Sequence, residues 1–271
     1  MVINHKILGV VTLLYLFLFF IHVLYFSIKK EKIMTFMWVV LYITLGLHTL
    51  GLLLRWVESY KLNIGHAPLS NFYESLIFYA WCVSFILIVM KKKLSFPVIT
   101  MCASLISLFF MGYASISPSV EKNIQPLVPA LQSNWLHIHV ITCFVAYAAF
   151  VISFICGMLY LFQWRGIIPP KETLEELNYR SIIVGFPMLS AGIFTGAVWA
   201  HYAWGSYWSW DPKETWSLIT WIVYALFLHA RLVRGWKGKR IAILSILGFF
   251  SVIFTYFGVN FILSGLHSYA T

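Results

Sequence analysis

Long apolar runs separated by short polar gaps fill most of this 271-residue chain. A helix rises about 1.5 Å per residue, so about 20 apolar residues are needed to cross the hydrocarbon core of a bilayer. Runs of about that length cover residues 7–28, 33–54, 72–90, 94–113, 135–164, 182–203, 215–233 and 241–263. The pattern predicts an all-α, polytopic integral membrane protein with about eight transmembrane helices, forming a single membrane domain over residues 1–271.

Composition supports this prediction and argues against a soluble protein. Hydrophobic residues make up 61% of the chain, charged residues 10%, and the mean hydropathy is +0.84. These values lie outside the soluble range. The formal net charge of +10 raises the question of nucleic-acid binding, but the Lys and Arg residues lie in the gaps between apolar runs and form no phosphate-binding stripe. Nucleic acid is therefore excluded as a partner.

The basic residues also predict an orientation. Most of the 19 Lys and Arg residues fall in alternate gaps, within residues 29–32, 91–93, 165–180 and 231–240. Cytoplasmic loops carry the excess of Lys and Arg, so these gaps are predicted to be cytoplasmic and both termini to face outward. Within the cytoplasmic loop 165–181, Thr173 and Glu176 have the spacing of a capping box, which predicts a short interfacial helix.

One outward gap, residues 200–216, differs from the others because its part from Trp204 to Trp216 reads WGSYWSWDPKETW and holds the only aspartate of the chain. Asp211 as N-cap, Pro212 at the first helical position and Glu214 in a capping box predict a helix start. Four rings before it form what we call the aromatic platform: Trp204, Tyr207, Trp208 and Trp210. With the positive end of the helix dipole and Lys213 beside it, this platform would suit a flat apolar ring that carries carboxylates. The alternative is that these rings anchor the protein at headgroup depth.

The cysteines predict no redox chemistry. All four lie inside apolar runs, and neither CxxC nor CxxCH occurs: they are Cys82, Cys102, Cys143 and Cys156. We interpret them as small core residues. The chain therefore carries no covalent c-type haem of its own.

Three histidines stand out by their depth in the predicted topology. His139, at the outer end of the fifth run, and His267, past the eighth, lie level with the platform and could ligate a haem from opposite faces, unless they are ordinary interfacial residues. His229 lies about 20 Å beyond Trp216 along the seventh helix. An ionisable group at such depth marks a ligand site, unless it belongs to the helix end. His66, in the outer loop 55–71, is predicted to shape the platform or its rim.

At this point the sequence resembles a known family. The stretch WGSYWSWDPKETW is similar to the tryptophan-rich WWD signature of haem-handling proteins. Three more stretches are similar to the CcsA/ResC branch of the System II cytochrome c biogenesis machinery: GHAPLSNFYESLIF from Gly65, LQSNWLHIHV from Leu131, and GVNFILSGLHSYA from Gly258. The likeness runs from about Arg55 to the C-terminus. It implies non-covalently bound haem b as cargo, carried across the membrane and presented for thioether attachment to an apocytochrome CxxCH motif.

The resemblance also assigns residues. Two histidines flanking the WWD stretch ligate an outer haem in the family, and these positions match His139, in preference to His137, and His267. A third, matching His229, ligates an inner haem whose opposite ligand comes from a CcsB/ResB-like membrane protein. The implied haem-binding set is completed by Trp204, Trp208, Trp210, Asp211, Trp216 and His66.

The implied activity is that of a subunit of a cytochrome c haem lyase. Besides the CcsB/ResB-like protein, the implied partners are apocytochrome c and thiol-reducing proteins, at the cytoplasmic membrane or, in a plastid, the thylakoid membrane. We predict no catalytic residue, because no nucleophile lies in the platform and Asp211 and Glu214 are interpreted as caps. The residues alone fit equally well a haem exporter or chaperone without ligation activity. A transporter of another amphipathic ring compound is a further alternative.

Overall fold

The structure is a computed structural model that describes residues 3–92, 96–163, 166–263 and 265. No strand occurs in this part of the chain. The helices are α1 (Ile3–Ile28), α2 (Glu31–Lys61), α3 (Phe72–Val89), α4 (Pro97–Ile116), α5 (Asn134–Phe162), α6 (Lys171–Trp204), α7 (Pro212–Leu232), α8 (Lys239–Ile253) and α9 (Val259–Ile262). A π-helical turn, Phe254–Gly258, joins α8 to α9, and a 3-10 turn, Pro129–Leu131, precedes α5.

Eight of these elements, counting Lys239–Ile262 as one, are long and apolar enough to cross a membrane by length and composition. The predicted all-α, multi-pass fold is therefore confirmed. The ends follow local signals: α4, for example, begins at Pro97 because proline is favoured in the first turn of a helix.

The helix α2 extends further than the apolar run predicts. The sequence interpretation placed Arg55 in an outer loop, but α2 continues to Lys61 and Arg55 is only 1% exposed. Its Nε donates to Oε1 of Glu74 on α3 at 2.9 Å. A buried charge is tolerated when it is paired, so the helix can continue past the apolar run.

The short interfacial helix predicted in residues 165–181 is not a separate element. Residues 171–180 form the first turns of α6, which is continuous from Lys171 to Trp204 and has Pro170 as its N-cap residue. Leu174 and Leu177 are buried, and Arg180 pairs with Glu176 one turn earlier. No helix breaker lies between these turns and the apolar run, so the two segments join into one helix.

The helix contacts divide the chain into two compact units, Met1–Val128 and Pro129–Thr271. In the first unit, α1 packs against α2 and α4, and α3 against α4. Its core contains polar side chains that bond across helices: the hydroxyl of Tyr15 lies 2.7 Å from Oγ of Ser84, and Nε2 of His22 lies 3.0 Å from Oγ1 of Thr100. Such bonds satisfy polar groups that lipid could not.

The second unit is built around α5, which packs against α6 and α8, while α7 packs against α8 and α6. A buried chain of side chains joins three of these helices. Ser153 on α5 donates to Oδ1 of Asn178 on α6 at 2.8 Å, and Nδ2 of Asn178 donates to Ser245 on α8 at 2.8 Å. These bonds fix the helix register near one end of the unit and leave the platform at the other.

Candidate functional site

The aromatic platform is attached to the first turn of α7, which has the predicted helix start. Asp211 is the N-cap and Pro212 the first helical residue, and Oδ1 of Asp211 accepts a hydrogen bond from the backbone N–H of Lys213 at 2.9 Å. Oε2 of Glu214 accepts from the backbone N–H of Asp211 at 3.2 Å, which completes the capping box. The capping interpretation of Asp211 and Glu214 is confirmed.

Glu214 also holds the loop that carries the platform. The same oxygen, Oε2, accepts from the backbone N–H of Ser209 at 2.7 Å, and Oγ1 of Thr215 donates to the carbonyl of Trp210 at 3.3 Å. Hydrogen bonds to a charged acceptor are stronger than neutral ones. The loop is therefore fixed close to the positive end of the α7 dipole.

The platform begins where α6 ends. Gly205 terminates α6 in the left-handed conformation, with φ of 78°, which glycine adopts without steric cost. Just before it, the rings of Trp204 and Trp199 meet nearly edge to face, with centroids 4.9 Å apart and planes at 62°. Trp199 is 4% exposed and its Nε1 donates to the carbonyl of Ala130 at 2.8 Å. Trp204 is thus supported from below by a buried ring.

The remaining platform rings form an open surface. Tyr207 stacks on His201, with centroids 4.2 Å apart and planes within 5°. Trp208 meets Trp210 edge to face at 5.8 Å. Trp210 is 69% exposed and has φ of 60°, a conformation that is rare for a bulky residue. Backbone strain of this kind is concentrated at ligand-binding sites.

His139 lies beside the buried ring of Trp199. The two ring centroids are 5.8 Å apart and the planes differ by 24°. Nδ1 of His139 lies 2.7 Å from the carbonyl oxygen of Gly192 on α6. A carbonyl only accepts, so Nδ1 carries the proton and the lone pair of the neutral ring is on Nε2. This tautomer is typical of metal-ligating histidines.

Two glycines on α6 create the space for Cys143 and His139, and our sequence interpretation missed them. A Cβ on Gly192 would lie 2.5 Å from Sγ of Cys143, and one on Gly196 would lie 2.6 Å from Nδ1 of His139. The signal was present as GxxxG, the pattern that lets membrane helices approach closely. Here it brings α6 against the face of α5 that carries His139 and Cys143.

His267, the second predicted outer ligand, lies outside the described residues. The preceding Gly265 is described, and it contacts the cap of α7: a Cβ there would lie 2.5 Å from Oδ2 of Asp211 and 3.1 Å from Cδ of Pro212. Trp216 also contacts this C-terminal region, with its ring centroid 4.1 Å from that of Phe254. The structure therefore places Gly265, two residues before His267 in the sequence, against the N-cap of α7.

His229 has a different environment. It is exposed on α7, on a face whose other residues are exposed and apolar: Ile219, Ile222, Leu226 and Val233. The opposite face, with Thr220, Tyr224 and Phe227, is buried in the unit. His229 thus points away from the second unit's core.

His66 lies in the first unit and is 4% exposed. Its Nδ1 lies 2.9 Å from the carbonyl of Ala67, and its Nε2 lies 2.9 Å from the carbonyl of Gln125. These contacts join the loop after α2 to the loop after α4. Ligation by His66 would require one of these contacts to break.

Among the described residues, no group of three or more His, Cys, Asp or Glu side chains could hold a metal ion. All four cysteines are thiols, and three of them are buried. This agrees with their interpretation as core residues.

Comparison with known proteins places these features in a family. The profile of the family described as cytochrome C assembly protein matches residues 69–267. The chain is 48% identical over 229 residues to the cytochrome c biogenesis protein CcsA of Chlamydomonas reinhardtii, a match that covers 80% of this chain and 64% of that protein. It is 44% identical over 242 residues to CcsA of Guillardia theta, covering 79% of each. With a CcsA of Prochlorococcus marinus the identity is 41% over 253 residues, covering 80% of this chain and 78% of that one.

A solved structure shares the fold. It is the cytochrome c haem lyase CcmF, matched with a TM-score of 0.72 and 14% sequence identity over 94% of this chain. The match covers 47% of the CcmF chain, so this chain spans about half of that protein's length. At so low an identity, the likeness concerns the arrangement of helices and not the activity.

Proposed function

The chain belongs to the cytochrome c assembly protein family and to its CcsA members, and we propose that it is the haem-handling subunit of a System II cytochrome c synthase. In this function it carries haem b across the membrane and presents it at the aromatic platform. There the haem is joined to the CxxCH motif of an apocytochrome c.

The observation that carries this proposal is the hydrogen bond from His139 to Gly192. It directs the lone pair of His139 to Nε2, the form an axial haem ligand needs. The ring is held in place by α6, through the ring of Trp199 and through the close approach at Gly196. His139 is thus oriented before any cargo arrives, so less ordering remains to be done on binding.

His267 is the proposed opposite ligand of the same haem. The support is indirect: Gly265, two residues earlier in the sequence, lies against Asp211 at the base of the platform. The exposed rings of Tyr207 and Trp210 offer the apolar surface on which a porphyrin can stack.

The proposed attachment step needs no nucleophile from this chain. Each cysteine thiol of the CxxCH motif adds across a haem vinyl group. A carbon–sulfur bond forms, the thiol hydrogen goes to the other vinyl carbon, and no oxidant is consumed. The protein's contribution is to hold the haem in one orientation and to position the substrate cysteines at its vinyl groups.

His229 is proposed to ligate a second, inner haem together with a CcsB/ResB-like membrane protein. Its exposure on an apolar face of α7 supports a site shared with another chain, because a lone imidazole facing lipid is costly. The excess of Lys and Arg in alternate gaps supports an outward platform and a cytoplasmic end near His229. The membrane would be the cytoplasmic one or, in a plastid, the thylakoid.

The test is the absorption spectrum of the detergent-purified chain with its CcsB-like partner, in wild type and in His139→Ala, His267→Ala and His229→Ala. We expect a low-spin haem that is lost in the first two variants and a second haem that depends on His229. His137→Ala is the matched control, since residues two apart on a helix point about 200° apart. Wild type without haem, or three variants with an unchanged spectrum, would refute the ligand assignment.

A second assay separates the synthase from a haem exporter or chaperone. The purified pair is given haem and a reduced CxxCH apocytochrome, and covalent haem is detected after denaturation. Covalent attachment that requires His139 supports the synthase. Haem binding without attachment would favour the exporter.

A further inference from the structure

The side chain of Lys213 makes a contact that the platform hypothesis does not use. From the sequence, Lys213 was a candidate for binding the cargo's carboxylates. In the structure its Nζ donates instead to Oδ1 of Asn260 at 3.0 Å. Asn260 is fully buried, and its Nδ2 donates to the carbonyl of Tyr256 at 2.6 Å. One amide thus joins the start of α7 to the turn that follows α8.

That turn is π-helical, from Phe254 to Gly258. The backbone N–H of Val259 bonds to the carbonyl of Phe254, five residues back, which adds one residue to the turn. An added residue rotates everything after it by about 100°, so the π turn decides the direction of the chain beyond. A Cβ on Gly258 would lie 2.7 Å from the Phe254 ring, so the turn requires glycine there.

A second pair of side chains holds the same turn against α7. The hydroxyls of Thr220 and Thr255 lie 3.1 Å apart, and Thr255 also lies 3.3 Å from the carbonyl of Trp216. Both threonines are buried. Beyond the turn the chain reaches Gly265, which lies against Asp211. The contacts therefore run along the first turns of α7 up to its cap.

Lys213 lies in the first turn of α7, a position where a lysine needs a compensating contact. A cation in the first turn of a helix opposes the helix dipole and is normally unfavourable. The buried amide oxygen of Asn260 and the nearby carboxylate of Asp211 offset that cost. The flexible lysine side chain is long enough to extend from α7 to Asn260, and its ammonium group has three hydrogen-bond donors.

We propose that Lys213 and Asn260 form a positioning clamp: their hydrogen bond holds the π turn against α7 and so fixes the contact of Gly265 with Asp211, two residues before the proposed ligand His267. This inference rests on the proposed function, because the expected consequence of the clamp is that His267 binds the outer haem opposite His139. In this role Lys213 bonds to Asn260 of the protein itself and does not bind the carboxylates of the cargo.

The experiment compares Lys213→Met, Asn260→Leu and the double variant, each purified with the CcsB-like partner. We expect each single change to convert the His139-bound haem from low-spin to high-spin. We also expect the haem affinity to fall by about 10-fold, because loss of a residue that supports a metal ligand typically lowers metal affinity by about 10- to 100-fold. The double variant should be no worse than either single one, because both break one contact. Added imidazole should restore the low-spin spectrum, which a general loss of folding would not allow.

Haem dimethyl ester, which lacks the carboxylates, decides between the two roles of Lys213. A clamp predicts that Lys213→Met weakens binding of haem and of its dimethyl ester equally. A selective loss for haem, with a wild-type spectrum in Asn260→Leu, would overturn the clamp and make Lys213 a carboxylate ligand. Lys237→Met, at an exposed lysine in the turn after α7, is the charge control and should match wild type.

A conservative variant keeps the test decisive if Asn260→Leu does not fold. Lys213→Arg retains a donor for Oδ1 of Asn260 and leaves the bond from Asn260 to Tyr256 intact, so it should keep a low-spin haem. A high-spin spectrum in Lys213→Arg equal to that of Lys213→Met would contradict the clamp. If wild type itself carries no haem with its partner, the proposed function fails, and that outcome is distinct from the failure of the clamp.

Discussion

The imidazole of His139 on α5 donates from Nδ1 to the carbonyl oxygen of Gly192 on α6 across 2.7 Å. One turn further along α6, Gly196 leaves room for the same ring, since a Cβ there would lie 2.6 Å from Nδ1. The backbone carbonyl at position 192 thus determines the tautomer of His139, and the absence of a side chain at Gly196 leaves room for its ring. A substitution at Gly196 can therefore perturb His139 without removing any side chain that could bind haem.

Gly196→Ala should displace His139 without removing any ligand. The added methyl group overlaps the imidazole, so the Gly192 hydrogen bond lengthens or breaks and haem affinity falls by about 10-fold or more. The measurement is a haem titration of the purified protein followed by its absorption spectrum.

Gly112→Ala is the control for this change. Gly112 also lies within a membrane-length helix, α4, and an added Cβ there meets nothing within 4 Å. It should bind haem as wild type does. Equal affinities for Gly196→Ala and Gly112→Ala would show that His139 is not held by α6 in the way described.

Asp211 offers a test of capping against acid catalysis. Asp211→Ala removes the cap of α7 and should destabilise the protein by about 1 kcal/mol, seen as a lower Tm in detergent. Asp211→Asn keeps a good N-cap and should retain both Tm and haem attachment. Loss of attachment at an unchanged Tm in Asp211→Asn would make Asp211 a proton donor instead.

The buried pair Arg55–Glu74 should dominate the stability of the first unit. Both side chains are almost completely buried, and Nη1 and Nη2 of Arg55 have no hydrogen-bond partner among the described residues. Glu74→Gln leaves that charge uncompensated and should cost about 3–5 kcal/mol. Replacing both, as Arg55→Met with Glu74→Leu, should cost less than the sum of the single changes, measured by denaturation.

An exposed pair provides the comparison. Arg180 and Glu176 on α6 are 43% and 46% exposed, so Glu176→Gln should change stability by about 0–1 kcal/mol. If Glu74→Gln is as mild as Glu176→Gln, the buried pair does not stabilise the first unit as inferred.

The exposed face of α7 around His229 should be the surface that meets the CcsB-like partner. Leu226, on the same face and 53% exposed, can be changed to tryptophan without touching the unit's core. Leu226→Trp is expected to reduce copurification of the partner and, with it, the His229-dependent haem. Phe194→Trp on α6, at a residue 72% exposed, should affect neither. Equal effects from the two would exclude a specific α7 contact.

Local signals along the chain were sufficient to predict the membrane-length helices of this protein and the start of α7. The number of membrane-length helices follows from apolar runs, and the capping box at Asp211 follows from three adjacent residues. Both depend on neighbours along the chain. Two boundaries were wrong. The helix α2 runs past Arg55 because Glu74, distant in the sequence, compensates the charge. The predicted short helix is part of α6 because no helix breaker separates it from the apolar run, a local signal that our sequence interpretation did not use.

The fold class could be predicted from the residues alone, because hydrophobicity is a local property. The tryptophan-rich segment and the candidate histidines stay predictions as a ligand site, and His139 was preferred to His137 because of the family resemblance. Which helix faces meet could not be predicted in this way and depends on packing. In a membrane-spanning helix the face toward lipid is apolar as well as most of the buried face, so the periodicity that marks a buried face in water is weak. The hydrogen bonds from His139 to Gly192 and from Lys213 to Asn260 therefore emerge only when the helices are packed.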